Sequence, residues 1–244
     1  MYGEFSYIYD KLSFDIEYEK YAENIKLLCE KYKIDKENML ELACGSGMLT
    51  KHFFDEFNQI DALDISTDML QCFADKYDND NVNLIYYDMV EYEKKDFYDL
   101  IVILLDSINY VTDPKKLEKL FINSYANLKD DSLLVFDINS EMKMRDIFGS
   151  ECYVYEYEDI FYTWDNFLED DLIDMHLNFF VENEDGSYKR IREYQQERIY
   201  SIDFIKKLLE KTGFVDIEIF DEDTMRKVDD DTLRVLFSAR KAKK

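Results

Sequence analysis

From residue 17 to about 137 the apolar residues alternate between helical spacing and short uninterrupted runs. That alternation specifies a parallel sheet wrapped by helices, because a strand covered on both faces is apolar throughout and a crossover helix returns the chain in the same direction. Tyr21, Ile25, Leu28, Cys29 and Tyr32 share a helical face, and MLELA at 39–43 gives a short buried strand. Leu49, Phe53, Phe54 and Phe57 predict a further helix before the second strand, QIDALD at 59–64. Ser66 is placed to cap a helix carrying Met69, Leu70 and Phe73, with VNLIYY at 82–87 as the third strand. DLIVILL at 99–105 belongs at the sheet centre. Asp113 and Pro114 have the form of an N-cap and first helical residue, and SLLVFDIN at 132–139 supplies a fifth strand.

Between about 151 and 200 the period changes to two. Three runs, CYVYEYEDIFYTW, LIDMHLNFFV and YKRIREYQQERIY, predict antiparallel strands inserted into the α/β unit. The basic residues of this stretch, Lys189, Arg190, Arg192 and Arg198, all lie on the last run. Helical spacing returns after Ser201 and stops at Gly213; FVDIEIF and TLRVLFSAR then complete a main sheet of seven strands. The expected architecture is a doubly wound, mostly parallel seven-stranded sheet formed by residues 1–150 and 201–244, with an antiparallel β lid at 151–200.

Charge narrows the functions open to such a fold. The formal net charge of −25 repels polyanions and removes the counterion release that drives non-specific nucleic-acid binding. No run of 18 apolar residues occurs and the N-terminus lacks the order of a secretory signal, so a cytoplasmic location is expected. Cys29, Cys44, Cys72 and Cys152 form no CxxC pair and share no ligand spacing with His52 or His176, so buried reduced thiols and no metal site are expected.

Glu41-Leu42-Ala43-Cys44-Gly45-Ser46-Gly47 lies where the first parallel strand ends, which is the ligand crevice of an open α/β sheet. Small residues at 43 and 45–47 let a ligand approach the backbone. Asp64 ends the neighbouring strand, where a carboxylate can accept both ribose hydroxyl hydrogens of a nucleoside. Thr50 stands where a dinucleotide fingerprint needs its last Gly, and GMLTK lacks the Gly-Lys-Ser/Thr of a P-loop. A carboxylate at Glu41 suits a cofactor bearing ammonium and sulfonium better than one bearing phosphates.

ELACGSG, followed by ALDISTDML and YYDM, resembles the class I S-adenosylmethionine-dependent methyltransferases over about residues 38–140 and the closing strands. The resemblance implies a Rossmann-like methyltransferase fold and S-adenosylmethionine as cofactor. It implies that Glu41, Ala43, Cys44, Gly45 and Gly47 cradle the methionyl part, with Leu105 beside them. Asp64 would hold the ribose, Ile65 and Met69 would sandwich adenine, and Asp88 and Met89 would meet the adenine edge. Ala43 departs from the family's usual first glycine. SYIYDKL at 6–12 resembles the leader of small-molecule members, in which Tyr9 would close over the cofactor carboxylate.

Substrate-side candidates follow from the end of the central strand, where Asp106, Ser107, Ile108, Asn109 and Tyr110 form the expected floor for the transferring methyl. The stretch lacks the Pro-Pro of base-modifying enzymes, which with the charge favours a small-molecule substrate over nucleic acid. Asp106, Tyr110 and His176 are candidate proton acceptors, although His176 alternates with Asp174 and Asn178 as a residue of a solvated face does. Ser107, Asn109, Tyr110, Arg190 and Arg192 are candidate substrate contacts; the two arginines could equally pair with Glu156 and Glu158 across strands. The expected activity is in-line methyl transfer to a small molecule. A cofactor-binding regulatory module and an RNA or protein methyltransferase stand as alternatives.

Overall fold

In the computed structural model, which describes residues 6–13 and 16–243, the central strand of the seven is the uninterrupted apolar one, Tyr98–Ile103 (β4), buried along its whole length. It pairs in parallel with Asn38–Leu42 (β1) on one side and Leu128–Asn139 (β5) on the other. Gln59–Asp64 (β2) and Val82–Tyr86 (β3) extend the sheet beyond β1, also in parallel. Arg234–Lys241 (β11) inserts antiparallel between β5 and Val215–Asp221 (β10), giving the order β10-β11-β5-β4-β1-β2-β3. The reversal at β1 and β4 opens a crevice at their carboxyl ends, the usual ligand position of such sheets.

The helices Tyr18–Tyr32 (α2), Thr67–Lys76 (α3), Pro114–Asn127 (α4) and Ile202–Thr212 (α5) begin and end where local chemistry directs. Ser66, Asp113 and Ser201 each accept a backbone N–H of the first turn, and Gly213 closes α5 at φ 113°. The region 49–57 differs from expectation. Its apolar residues are held by one 3-10 turn, Thr50–Phe53, because Phe53 and Phe57 bury against α2 and the sheet without a continuous helix. Across the strands, the rings of Phe136 and Phe237 stack at 4.9 Å and 2°, each fully buried and each worth about 2–3 kcal/mol by area removed from water.

A second, four-stranded antiparallel sheet follows β5 and a π-helical turn at Lys143–Phe148. The first of the three expected runs folds as two strands, Cys152–Tyr157 (β6) and Ile160–Glu169 (β7), because Glu158 takes a left-handed φ of 51° and turns the chain. Leu172–Glu182 (β8) and Tyr188–Arg198 (β9) complete it. One face buries Ile160, Ile173, Met175, Phe179 and Ile191 against Ile8, Leu12 and Met144, so the short helix Ser6–Leu12 (α1) and the turn at 143–148 join the lid to the main unit. Cys29, Cys44 and Cys72 are buried thiols as expected, whereas Cys152 is exposed, because its alternation in β6 points it away from that core. Among the described residues no helix is long and apolar enough to cross a membrane.

Candidate active site

A cavity of about 680 Å³ runs from the turn after β1 to the underside of the lid. Its first end is built by the chain reversal at Ala43–Gly47. Ala43 and Gly45 both have left-handed φ, 58° and 55°, which turns the strand out of the sheet within one residue. Ala43 bears a Cβ in a conformation that favours glycine, at a cost of about 1–2 kcal/mol. A Cβ built on Gly45 meets nothing within 4 Å, so open space lies directly before this turn. Gly47 has a packing task that its sequence position did not indicate. It does not line the cavity, and a Cβ there would approach the Phe73 ring to 2.6 Å; its absence lets α3 pack against the turn.

Asp64 fixes this geometry. Its Oδ2 accepts the Gly45 N–H at 2.8 Å and its Oδ1 accepts the Ser66 N–H at 2.8 Å, which holds the carboxylate at the cavity wall. Burial raises its pKa, opposed by the backbone N–H groups of Ser66, Gly45 and Ile65. Glu41 is 4% exposed, lines the cavity, and has an Oε2 with no hydrogen-bond partner. Burial pushes its pKa up to about 8. A buried carboxylate oxygen lacking a donor is completed by a cationic ligand group, and the open space before Gly45 admits one. Ile65, 57% exposed at the rim, Met69, Asp88 and Met89 border the same end, and Asp88 is oriented by accepting the Val90 N–H at 2.9 Å. These residues fit an adenosyl amino acid: two oriented carboxylates, an apolar rim, and a turn without obstructing side chains.

The middle of the cavity is floored by the end of β4. Leu105 and Asp106 both take φ 55°, and their N–H groups donate to the Asp137 carboxylate at 3.2 and 2.7 Å. Arg234, from the start of β11, bridges Asp106 at 2.7 Å and Asp137 at 3.2 Å. Burial raises the pKa of Asp137 and the Arg234 charge opposes it. Arg234 and Asp137 were not expected from the sequence. A lone Arg opening an apolar strand does call for a carboxylate, but nothing local indicates which one.

Tyr9, Cys44, Leu105, Ser107 and Tyr110 also border the cavity, and the Tyr110 hydroxyl donates to Gln195 of the lid at 3.0 Å. Asn109 does not border it. Fully buried, it receives the Asn139 N–H at 3.0 Å and donates to the Arg198 carbonyl at 2.9 Å, which joins β5 to the lid strand β9. Arg190, Arg192 and His176 lie outside the cavity, because their alternation in β8 and β9 places them on the outer face of the lid. Arg190 donates to Asn178, not to Glu156 or Glu158, and His176 sits edge-on between the rings of Phe167 and Tyr194. The roof is the inner face: Tyr162, Trp164 and Phe179. Tyr155, Tyr162 and Phe179 follow one another at 5.0 and 5.4 Å with 31° and 34° between planes, so their faces are turned to each other. That row is an apolar cover and not an aromatic cage for a cation.

Comparison with known proteins agrees with this geometry. Residues 39–131 match the family model described as a methyltransferase domain. The crystal structure of an S-adenosylmethionine-dependent methyltransferase from Clostridium acetobutylicum ATCC 824 is 32% identical, with 99% of each chain covered and a TM-score of 0.90. Two more distant structures share the fold: the sugar N-methyltransferase KedS8 from Streptoalloteichus, at 16% identity with 97% and 93% covered and a TM-score of 0.81, and the amino pentose methyltransferase CalS10 from Micromonospora echinaspora, at 14% identity with 97% and 96% covered and a TM-score of 0.78.

Proposed function

Because the chain belongs to the class I S-adenosylmethionine-dependent methyltransferases, we propose that it transfers the cofactor's methyl to an amine of a small molecule held beneath the lid. The carrying observation is that one cavity joins Glu41 and Asp64 to a chamber closed by Tyr162, Trp164 and Phe179, with the Asp106 carboxylate between them. The more distant fold neighbours that act on amino sugars lend support to a small-molecule amine.

Bound S-adenosylmethionine would supply an electrophilic methyl on a sulfonium. Asp64 is placed to accept the ribose hydroxyls and Glu41 to face the ammonium; Ile65 and Met69 would cover the adenine, with Asp88 and Met89 at its edge. Ala43, Cys44, Gly45 and Leu105 would border the methionyl part, and Tyr9 would close over its carboxylate. An amine nucleophile becomes cationic as the new bond forms. A carboxylate beside it therefore stabilises the transition state more than the ground state, and Asp106 offers a fixed one because Arg234 and the Asp137 contacts hold it. Tyr110, oriented by Gln195, and Ser107 provide polar contacts for the substrate body. The apolar roof excludes water, which strengthens these interactions.

The test is a panel of primary and secondary amines, alcohols and thiols with S-adenosylhomocysteine as readout. Turnover confined to amines, with Asp106→Asn lowering kcat by about 10- to 1,000-fold while cofactor Kd is unchanged, is the expected result. Turnover with alcohols or thiols alone would overturn the amine assignment, and cofactor binding without turnover on any class would overturn transfer to a small molecule.

A further inference from the structure

The outer face of the lid is an open sheet surface that no part of the described chain covers. An antiparallel sheet with one solvated face ordinarily turns polar residues outward, yet Val154, Phe161, Phe167 and Tyr194 are each more than a third exposed there. The strand register shows how this surface is ordered. One row across the four strands reads Glu156, Phe161, Phe180, Arg190, and another reads Cys152, Asp165, His176, Tyr194. Glu156 and Asp165 stand on β6 and β7, Asp174 and Glu182 on β8, and Arg190 and Arg192 on β9. The Arg190 guanidinium is held on this face by Asn178 and by the Phe180 ring, 5.7 Å away.

We infer that this face pairs with the same face of a second copy, about a two-fold axis running along the strands. Such an axis reverses the strand order, so β9 of one copy lies over β6 of the other and β7 lies over β8. The row Glu156-Phe161-Phe180-Arg190 is then opposed by itself reversed: Glu156 meets Arg190 twice and Phe161 meets Phe180 twice. In the second row Asp165 meets His176. An axis across the strands would instead set β6 over β6 and β9 over β9, so Glu156 could not meet Arg190, and charge pairing selects the axis along the strands. Strands of 6, 10, 11 and 11 residues, about 4.8 Å apart and about 3.4 Å per residue, present about 600 Å². Two copies together bury about 1,200 Å², the lower bound of a specific stable interface. The face carries charges of both signs, so a second copy can be met with pairing as well as repulsion. The inference is independent of the substrate.

Sedimentation velocity over a micromolar concentration range is expected to show a species of twice the 29.4 kDa chain mass. Arg190→Glu and Glu156→Arg, both exposed and both outside the cavity, should each weaken self-association by about 100-fold, since each places like charges opposite one another twice. Mixing the two variants should restore a dimer, because each then supplies the charges the other lacks. A wild-type monomer throughout the range, a dimer indifferent to both reversals, or a mixture that stays monomeric would each overturn the assignment. Unchanged thermal unfolding of the variants separates loss of pairing from loss of fold.

Discussion

At the end of the cavity beside the β1 turn, Glu41 is buried with an Oε2 that makes no hydrogen bond; at the end of β4, the buried Asp137 and the half-buried Asp106 pair with Arg234, and two backbone N–H groups donate to Asp137. The first arrangement leaves a charge requirement for a ligand to complete. The second is already complete and serves as a fixed electrostatic floor. An enzyme that must release its spent cofactor gains from the former, and one that must hold a nucleophile in line gains from the latter. The two ends should therefore respond to mutation in opposite ways, the floor through stability and the turn through binding.

The largest effect is expected at the floor. Arg234→Met leaves the buried Asp137 and the half-buried Asp106 without their cation and should lower unfolding free energy by about 3–5 kcal/mol, read by urea denaturation, with Asp137→Asn added to the same chain recovering part of it. If the double variant is no more stable than the single, Arg234 is not acting through Asp137. At the turn, Asp64→Ala should weaken S-adenosylmethionine binding by about 10- to 100-fold, the loss of charged hydrogen bonds worth about 1.5–3 kcal/mol; calorimetry with unchanged affinity would remove Asp64 from the site.

Glu41 links the pH dependence of stability to that of binding. Its folded pKa of about 8 lies above the ordinary carboxyl value, so from about pH 4.5 to about 8 the unfolded chain binds fewer protons and stability falls as pH rises. The ammonium of the cofactor favours the ionised carboxylate, so affinity should rise by up to about tenfold from pH 6 to 7. Glu41→Gln should flatten the binding profile and lessen the stability slope, to which the buried Glu222 and Glu197, also raised by burial, contribute the rest; a Gln variant that keeps the wild-type binding slope would assign it to another group. The smallest effect is expected from Ala43→Gly: relief of the left-handed Cβ strain, less the added freedom of the unfolded chain, should stabilise by about 0.5 kcal/mol, measured as a small rise in Tm.

These regions were unequally legible. The turn and Asp64 lie within about two dozen residues of one another, and their spacing is dictated by one β-turn-α-β unit. The helix caps at Ser66, Asp113 and Ser201 are equally local and stand where the residue types direct. The floor is not local. Asp106, Asp137 and Arg234 meet only because β11 inserts antiparallel beside β5. Period-two alternation finds the lid strands but does not say which face is inward, so Arg190, Arg192 and His176 could be placed only once the register was known. The split of the first lid run at Glu158 depends on a left-handed residue that no glycine marks.

Sequence alone determined the layered α/β architecture, the central position of β4, and a crevice suited to an adenosyl amino acid, because periodicity, caps and a strand-end turn are properties of contiguous residues. Tertiary structure alone decided which carboxylates are neutralised, that Gly47 leaves room for the Phe73 ring, and which lid face covers the cavity. Those outcomes depend on which strand lies beside which, and on burial that converts a charged side chain from a solvated group into one that must be partnered.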